Sequence, residues 1–195
     1  RQNLFLSNQD RRQFLAMLKQ HKLRHGLKVY AYSLLDHSVH ILLETSAPNL
    51  SAVMQGFNTQ YTKYFNGAHN AVGHVFSGRY KAWLVDKETH LAEMTRYVHL
   101  ACMRDGHKEK PWRDQWSSCA AYVEAEHKEP LVDSDAVLRK FGSGRLKQSV
   151  RYLQYIKDRM KSDVSEALPI IGGVAIGGEA FLKKIAAHRD GASAP

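Results

Sequence analysis

Polar side chains suited to metal or acid-base chemistry alternate along the segment from Leu34 to Thr45, which reads L-L-D-H-S-V-H-I-L-L-E-T. Successive residues of a β-strand point to opposite faces, so Ser38, His40 and Glu44 are expected on one face. A hydroxyl, an imidazole and a carboxylate in line suit a divalent metal site, because a buried polar group costs free energy unless a partner or a cation satisfies it. A histidine on such a strand is also common as a hydrogen-bonded structural residue, so the segment alone leaves both interpretations open.

Cations and an aromatic ring combine in a second stretch, Gly78 to Lys81, which reads G-R-Y-K. Arg79 and Lys81 suit a phosphate and Tyr80 suits a base, although a basic strand end is equally typical of a solvated surface. A later basic helix, expected from Gly144 to Met160, adds the cations Arg145, Lys147, Arg151, Lys157 and Arg159.

The overall charge favours a polyanionic partner. The chain has 28 Lys and Arg against 19 Asp and Glu, a formal net charge of +9, which favours nucleic acid first and an acidic membrane second. No apolar run approaches the roughly 20 residues that a membrane-spanning helix needs, and no signal peptide opens the chain. The sequence therefore predicts a cytoplasmic protein without a membrane partner.

Composition and length indicate a globular protein with reduced cysteines. The 195 residues, 44% of them hydrophobic, suffice for one domain of ordinary size. The two cysteines, Cys102 and Cys119, lack the paired spacing of a disulfide framework or a thiolate zinc site, so we interpret them as packing residues.

Hydrophobic periodicity predicts an α+β fold. The expected elements are, in chain order, a strand end or an extended entry at 1–6, a helix at 10–25, strands at 27–35 and 39–44, a helix at 50–65, a short strand at 82–85 and a helix at 87–103. This order is close to the split βαβ plan, a ferredoxin-like antiparallel sheet with helices on one face. A C-terminal helical extension is expected to follow, with helices at 133–141, 144–160 and 179–188.

Several stretches together resemble the single-strand DNA transposases of the HUH tyrosine class, especially the REP-associated branch. They are R-Q-N at the start, A-Y-S-L-L-D-H-S-V-H-I-L-L-E-T from Ala31, the helix from Leu50 to Phe65, G-H-V-F-S-G-R-Y-K from Gly73, T-R-Y-V-H-L from Thr95 and W-S-S-C-A-A-Y from Trp116. The resemblance implies a transposase-like DNA-binding domain at 1–125. The helical extension then occupies 126–190, and a disordered tail 191–195.

The resemblance also implies chemistry. In this family, two histidines flanking one hydrophobic residue bind Mg²⁺ or Mn²⁺, which polarises the scissile phosphate. A tyrosine on a later helix attacks that phosphate, and the resulting 5′-phosphotyrosine is later reversed by a 3′-hydroxyl. Transesterification conserves the phosphodiester energy, so no ATP or organic cofactor is implied.

Carried over residue by residue, the family pattern places Tyr97 at the nucleophile and His40 at the second histidine. Ser38 occupies the first histidine position, and Ala101 stands where the family usually has an amide ligand. Metal affinity is therefore expected to fall sharply unless Glu44, His37 or phosphate oxygens compensate. His99, two residues after Tyr97, is expected to face away from it.

The implied partner is single-stranded or hairpin DNA, with a homodimer and a monomer both left open. The expected DNA-binding residues are Arg79, Tyr80, Lys81, Lys63, Arg96, Arg145, Lys147 and Arg151. Three functions remain open on the sequence: an active transposase-like nuclease, an inactive domesticated hairpin binder, and an RNA-binding or purely structural protein. Tyr97 and His40 favour the first, whereas Ser38 and Ala101 favour the second.

Overall fold

A computed structural model describes residues 3–106, 110–161, 170–171 and 173–191, without the side chains of the last three. Its helices are α1 (Asn8–His25), α2 (Leu50–His69), α3 (Lys87–His99), α4 (Ala101–Arg104), α5 (Ala120–Val123), α6 (Asp135–Leu138), α7 (Arg145–Met160) and α8 (Glu179–Gly191). Its strands are β1 (Lys28–Leu34), β2 (Val39–Glu44), β3 (Leu84–Val85) and β4 (Ala175–Ile176). The predicted α+β fold, with an antiparallel sheet and C-terminal helices, is confirmed.

Helix α1 begins where its sequence provides a capping box. The Ser7 hydroxyl accepts from the Asp10 amide at 3.3 Å, and the Asp10 carboxylate accepts from the Ser7 amide at 2.8 Å. Asp10 is fully buried and also accepts from the Tyr64 hydroxyl at 3.0 Å, while one of its oxygens lies 2.9 Å from His69 Nε2. The start of α1 is therefore tied to α2 as well as capped.

The predicted strand pair forms β1 and β2, which run antiparallel. Ser33 lies opposite His40 and Lys28 opposite Glu44, with a bulge between Val29 and Ala31. The whole of β2 is only half-buried, so its polar residues are closer to solvent than the sequence predicted.

Two hydrophobic cores flank this sheet. On one face, α1 and α2 pack their aromatic rings against β1 and β2 through Phe14, Phe57, Tyr61, Val29 and Tyr32. On the other face, α3 and the C-terminal helices form a second core with Tyr30 and Leu42, to which they contribute Leu91, Tyr122, Val137, Leu138, Tyr152 and Ile156. The C-terminal extension is therefore part of the packing that supports α3.

The short strand β3 has an unexpected partner. It pairs in parallel with β4 of the C-terminal segment, through Leu84 with Ala175 and Val85 with Ile176. Within the described residues β3 joins neither β1 nor β2, so the ferredoxin-like arrangement stays a prediction. Gly177, the residue after β4, packs closely against Phe181 and Asp86. A Cβ added at this position would overlap the Phe181 ring and lie 2.9 Å from Asp86 Cβ.

Three expectations from the sequence need correction or fall outside the described part. Residues 3–6 form no strand; instead the Leu4 amide donates to the Asp36 carbonyl at 2.8 Å. The helix predicted at 87–103 is interrupted at Leu100, where α3 ends and α4 follows. Residues 192–195 of the predicted disordered tail lie outside the described residues.

In the part of the chain that the structure describes, none of the helices has both the length and the apolar character required to cross a membrane.

Candidate active site

Tyr97 is half-buried near the end of α3, with a guanidinium group stacked on its ring. Arg104, the last residue of α4, places its central carbon 3.6 Å from the ring centroid. One of its terminal nitrogens also donates to the Tyr97 carbonyl at 2.7 Å. The interruption at Leu100 separates the helices that carry these residues, and the guanidinium spans it to hold the phenol ring in a defined orientation.

His40 lies half-buried on β2, within electrostatic reach of the same arginine. Burial lowers the pKa of His40 below its usual value, the Arg104 charge lowers it further, and the Asp105 carboxylate acts in the opposite direction. The imidazole is therefore neutral at neutral pH and able to accept a proton or a hydrogen bond. Arg104 therefore acts on both Tyr97 and His40, the two residues at positions where the resemblance implies a nucleophile and a metal ligand.

The two positions that depart from the family pattern offer poor ligands. Ser38 presents a half-buried hydroxyl, and Ala101 is buried among Leu35, Cys102 and Met103, where its methyl group coordinates nothing. His37, the other histidine near this strand, is exposed in the turn before β2.

Glu44 is already neutralised by cations from two elements. Its carboxylate lies 2.7 Å from Lys87 Nζ and 3.2 Å from Lys28 Nζ, and it accepts a hydrogen bond from the Tyr30 hydroxyl. The Lys87 contact, followed by that of Tyr30, lowers the pKa of Glu44 to about 2. This carboxylate therefore fastens the start of α3 to the sheet, and each of its two oxygens already contacts a lysine.

The predicted Mg²⁺ or Mn²⁺ site depends on the donors just described. A tight divalent site needs several oxygen or imidazole ligands on one centre. Over the described ranges, no group of three or more His, Cys, Asp or Glu side chains lies close enough together to hold an ion. His40 with the Ser38 hydroxyl, beside the positive charge of Arg104, does not fit the metal that the resemblance implies.

Five of the predicted DNA-binding residues are exposed cations, and Tyr80 lies after α2 in the chain but close to its first turn. The exposed cations are Lys63, Arg79, Lys81, Lys147 and Arg151. The Tyr80 hydroxyl lies 3.1 Å from the Ser51 hydroxyl in the first turn of α2, which holds the G-R-Y-K stretch near that helix end. These side chains are available to a phosphate backbone.

Arg151, together with the two remaining predicted residues Arg96 and Arg145, also makes internal contacts. Arg96 stacks on Tyr155 at 3.8 Å, Arg151 donates to the Phe141 carbonyl at 3.1 Å, and Arg145 donates to the Ala121 carbonyl. These arginines join α7 to the rest of the second core, so their predicted role in DNA binding stays a prediction.

His99 is fully buried between the sheet and α7. Its Nδ1 lies 2.8 Å from the Tyr152 hydroxyl and its Nε2 lies 2.9 Å from the Ser118 hydroxyl. Burial lowers the pKa of His99 to about 3, so the ring is neutral and structural.

Arg104 contacts Tyr97 in this site, but the sequence analysis does not predict it as a site residue. A signal was present, because a residue seven positions after Tyr97 lies on nearly the same side of an uninterrupted helix. A second missed feature is Trp112, whose ring centroid lies 5.9 Å from both Lys110 Nζ and Lys157 Nζ.

Comparison with known families identifies the class of protein to which this fold and site belong. The family model described as "Transposase IS200 like" matches residues 1–100. The chain therefore belongs to the IS200-like transposase family, which implies DNA as a partner and a role in transposition and recombination. Members of this family generally depend on a divalent metal. No curated protein and no solved structure gives a significant match to the chain.

Proposed function

We propose that this transposase cleaves and rejoins single-stranded, hairpin-bearing DNA through a 5′-phosphotyrosine formed by Tyr97. The observation that carries the proposal is the half-exposed Tyr97 phenol, oriented by Arg104 and sharing that arginine's charge with a neutral His40. A phenol held in this way is suited to nucleophilic attack on a phosphodiester.

The proposed step balances without an external reactant. The Tyr97 oxygen forms a bond to phosphorus while the bond between phosphorus and the 3′ oxygen breaks. The phenol proton is transferred, through His40 or water, to the departing 3′ oxygen, which leaves as a hydroxyl. Attack by a 3′-hydroxyl on the phosphotyrosine reverses the step and rejoins the strand.

Binding of the hairpin is assigned to the exposed cations. The net charge of +9 and the exposed Lys63, Arg79, Lys81 and Lys147 support a polyanionic ligand. Each neutralised phosphate should contribute a slope of about −0.9 for a duplex or −0.7 for a single strand to log affinity against log salt. Fluorescence anisotropy with a labelled hairpin at several salt concentrations measures this slope, and a flat response would remove nucleic acid as the ligand.

A second candidate function is an inactive hairpin-binding module. Ser38 and the buried Ala101 favour it, because neither replaces the ligand found at that position in the family. In this case the hairpin binds with a steep salt dependence, but no covalent product forms.

The deciding experiment incubates the protein with a labelled single-stranded oligonucleotide that carries a hairpin, then separates covalent adducts on a denaturing gel. Cleavage predicts an adduct that Tyr97→Phe abolishes while hairpin affinity is retained. Tyr155→Phe is the matched control, since Tyr155 also lies under an arginine, at 3.8 Å, but on α7. Adduct formation by Tyr97→Phe would refute the assignment of the nucleophile.

The inactive alternative has its own test. A decayed site predicts that the wild-type protein forms no adduct, with or without Mg²⁺ or Mn²⁺. The double change Ser38→His and Ala101→Asn should then restore adduct formation. Sedimentation of the same samples, with and without hairpin, distinguishes a homodimer from a monomer.

A further inference from the structure

A guanidinium group places positive charge against Tyr97 and within electrostatic reach of His40. Arg104 stacks on the Tyr97 ring at 3.6 Å and donates to the Tyr97 carbonyl at 2.7 Å, and its charge acts on His40. The positions expected to hold a metal beside these residues carry a hydroxyl at Ser38 and a methyl at Ala101. The site therefore has a built-in cation where its donor set does not fit a divalent ion.

We propose that Arg104 is a catalytic residue that binds the non-bridging oxygens of the scissile phosphate and supplies the positive charge that a metal supplies in related enzymes. This inference rests on the proposed function, because it assigns the electrostatic part of the same cleavage step. It assigns to this chain a strand-cleavage reaction that needs no divalent cation.

The geometry of Arg104 leaves donors for such a contact. A guanidinium carries five N–H groups, and one of its nitrogens already donates to the Tyr97 carbonyl. Stacking occupies one face of the guanidinium plane, so N–H groups along its edge can form paired hydrogen bonds with two phosphate oxygens. The phosphate would then lie beside the edge of the Tyr97 ring.

Electrostatics favours the same position. As Tyr97 attacks, negative charge accumulates on the non-bridging oxygens, and a preoriented cation stabilises that charge without reorganising water. Because Arg104 is fixed by its carbonyl bond and by the ring, the charge is in place before the DNA binds. The Tyr97 oxygen bonds to phosphorus, the 3′ oxygen departs with a proton, and Arg104 keeps its protons throughout.

The first experiment measures the rate of adduct formation with the full chain and a hairpin oligonucleotide, in EDTA and in Mg²⁺. We expect the wild-type rate in EDTA to equal that in Mg²⁺ within about threefold. Arg104→Gln should lower the rate by about 10²- to 10³-fold, the typical effect of removing one donor to a developing oxyanion, while hairpin affinity changes little. Arg24→Gln is the matched control, because it removes an exposed arginine of α1, a helix that packs on the other face of the sheet.

The second experiment separates a catalytic role from a structural one. Guanidinium ion at millimolar concentration should restore adduct formation to Arg104→Ala, whereas it should not help Tyr97→Phe. Sulfur substitution at a non-bridging oxygen of the scissile phosphate should slow the wild-type protein equally in Mg²⁺ and Mn²⁺, since no metal contacts that oxygen.

The outcomes distinguish the two proposals. An adduct that requires a divalent ion, a thio effect relieved by Mn²⁺, or an Arg104→Gln rate close to wild type would overturn the role of Arg104 and leave Tyr97-dependent cleavage intact. Hairpin binding without an adduct in any buffer would overturn the cleavage function itself, and with it this inference.

Discussion

Replacing His99 with glutamine should make the protein markedly less sensitive to acid. In the folded protein burial lowers the pKa of His99 to about 3, compared with a usual value of 6.5. Below pH 6.5 the unfolded chain therefore takes up a proton that the folded chain excludes, and stability falls as the pH decreases toward 3.

The expected size follows from proton linkage. A one-unit difference in pKa corresponds to about 1.4 kcal/mol, so His99 should cost the folded state about 2 kcal/mol between pH 7 and pH 5. The ring is enclosed by uncharged groups, with the Tyr152 and Ser118 hydroxyls on its nitrogens and the edge of the Tyr122 ring at 4.9 Å. Among the described residues, no carboxylate contacts the ring to stabilise its protonated form.

Urea unfolding followed by circular dichroism at pH 7 and pH 5 tests this prediction. His99→Gln should lower the free energy of unfolding at pH 7 by about 1–3 kcal/mol, because buried hydroxyl partners lose hydrogen bonds. Between the two pH values, however, the variant should lose about 2 kcal/mol less than the wild type. His74→Gln, a change at an exposed position in the loop after α2, controls for the substitution itself. Equal losses in the wild type and His99→Gln would refute the assignment of the acid sensitivity to this ring.

Three further predictions concern stability and reactivity. Gly177→Ala should release β4 from β3 and speed proteolysis of the C-terminal segment, whereas Gly178→Ala, whose added methyl would meet nothing within 4 Å, should not. Glu44→Gln should destabilise the protein by only about 1 kcal/mol at pH 7, because solvent screens the ion pairs of a partly exposed carboxylate. This contribution is present above pH 4.5 and is lost as the pH falls toward the folded pKa of about 2. The unfolding curves of wild type and variant should therefore converge in acid. Burial raises the pKa of Cys102 to about 11 and holds that of Cys119 well above its usual value, so iodoacetamide at pH 8 should label neither thiol until urea unfolds the chain, as mass spectrometry would show.

Much of the local structure could be predicted from patterns within single segments. The Ser7 and Asp10 caps start α1, the alternation around His40 forms β2, and apolar spacing identifies α2. These features depend on contacts between residues close in the chain, so the sequence alone indicates them. The family motifs likewise identified Tyr97 and His40 as candidates before any contact was known.

The surroundings of those candidates depended on tertiary packing. The sequence placed Glu44 on the same strand face as His40, but only the fold shows that Lys87 and Lys28 engage its carboxylate. Likewise, the sequence presented Arg96 only as a candidate DNA ligand, and the fold shows in addition that its guanidinium stacks on Tyr155 of α7. Such partners lie far apart in sequence, and periodicity carries no information about which helix meets which.

The sequence by itself therefore determined the class of fold, the family and the residue types at the site. Only the tertiary structure decided that β3 pairs with β4, that His99 is a buried structural ring, and that Arg104 reaches Tyr97 across the interruption at Leu100. The physical reason is that side-chain periodicity specifies which residues share a face. The charge, solvent exposure and partners of that face are set by segments that fold against it from elsewhere in the chain.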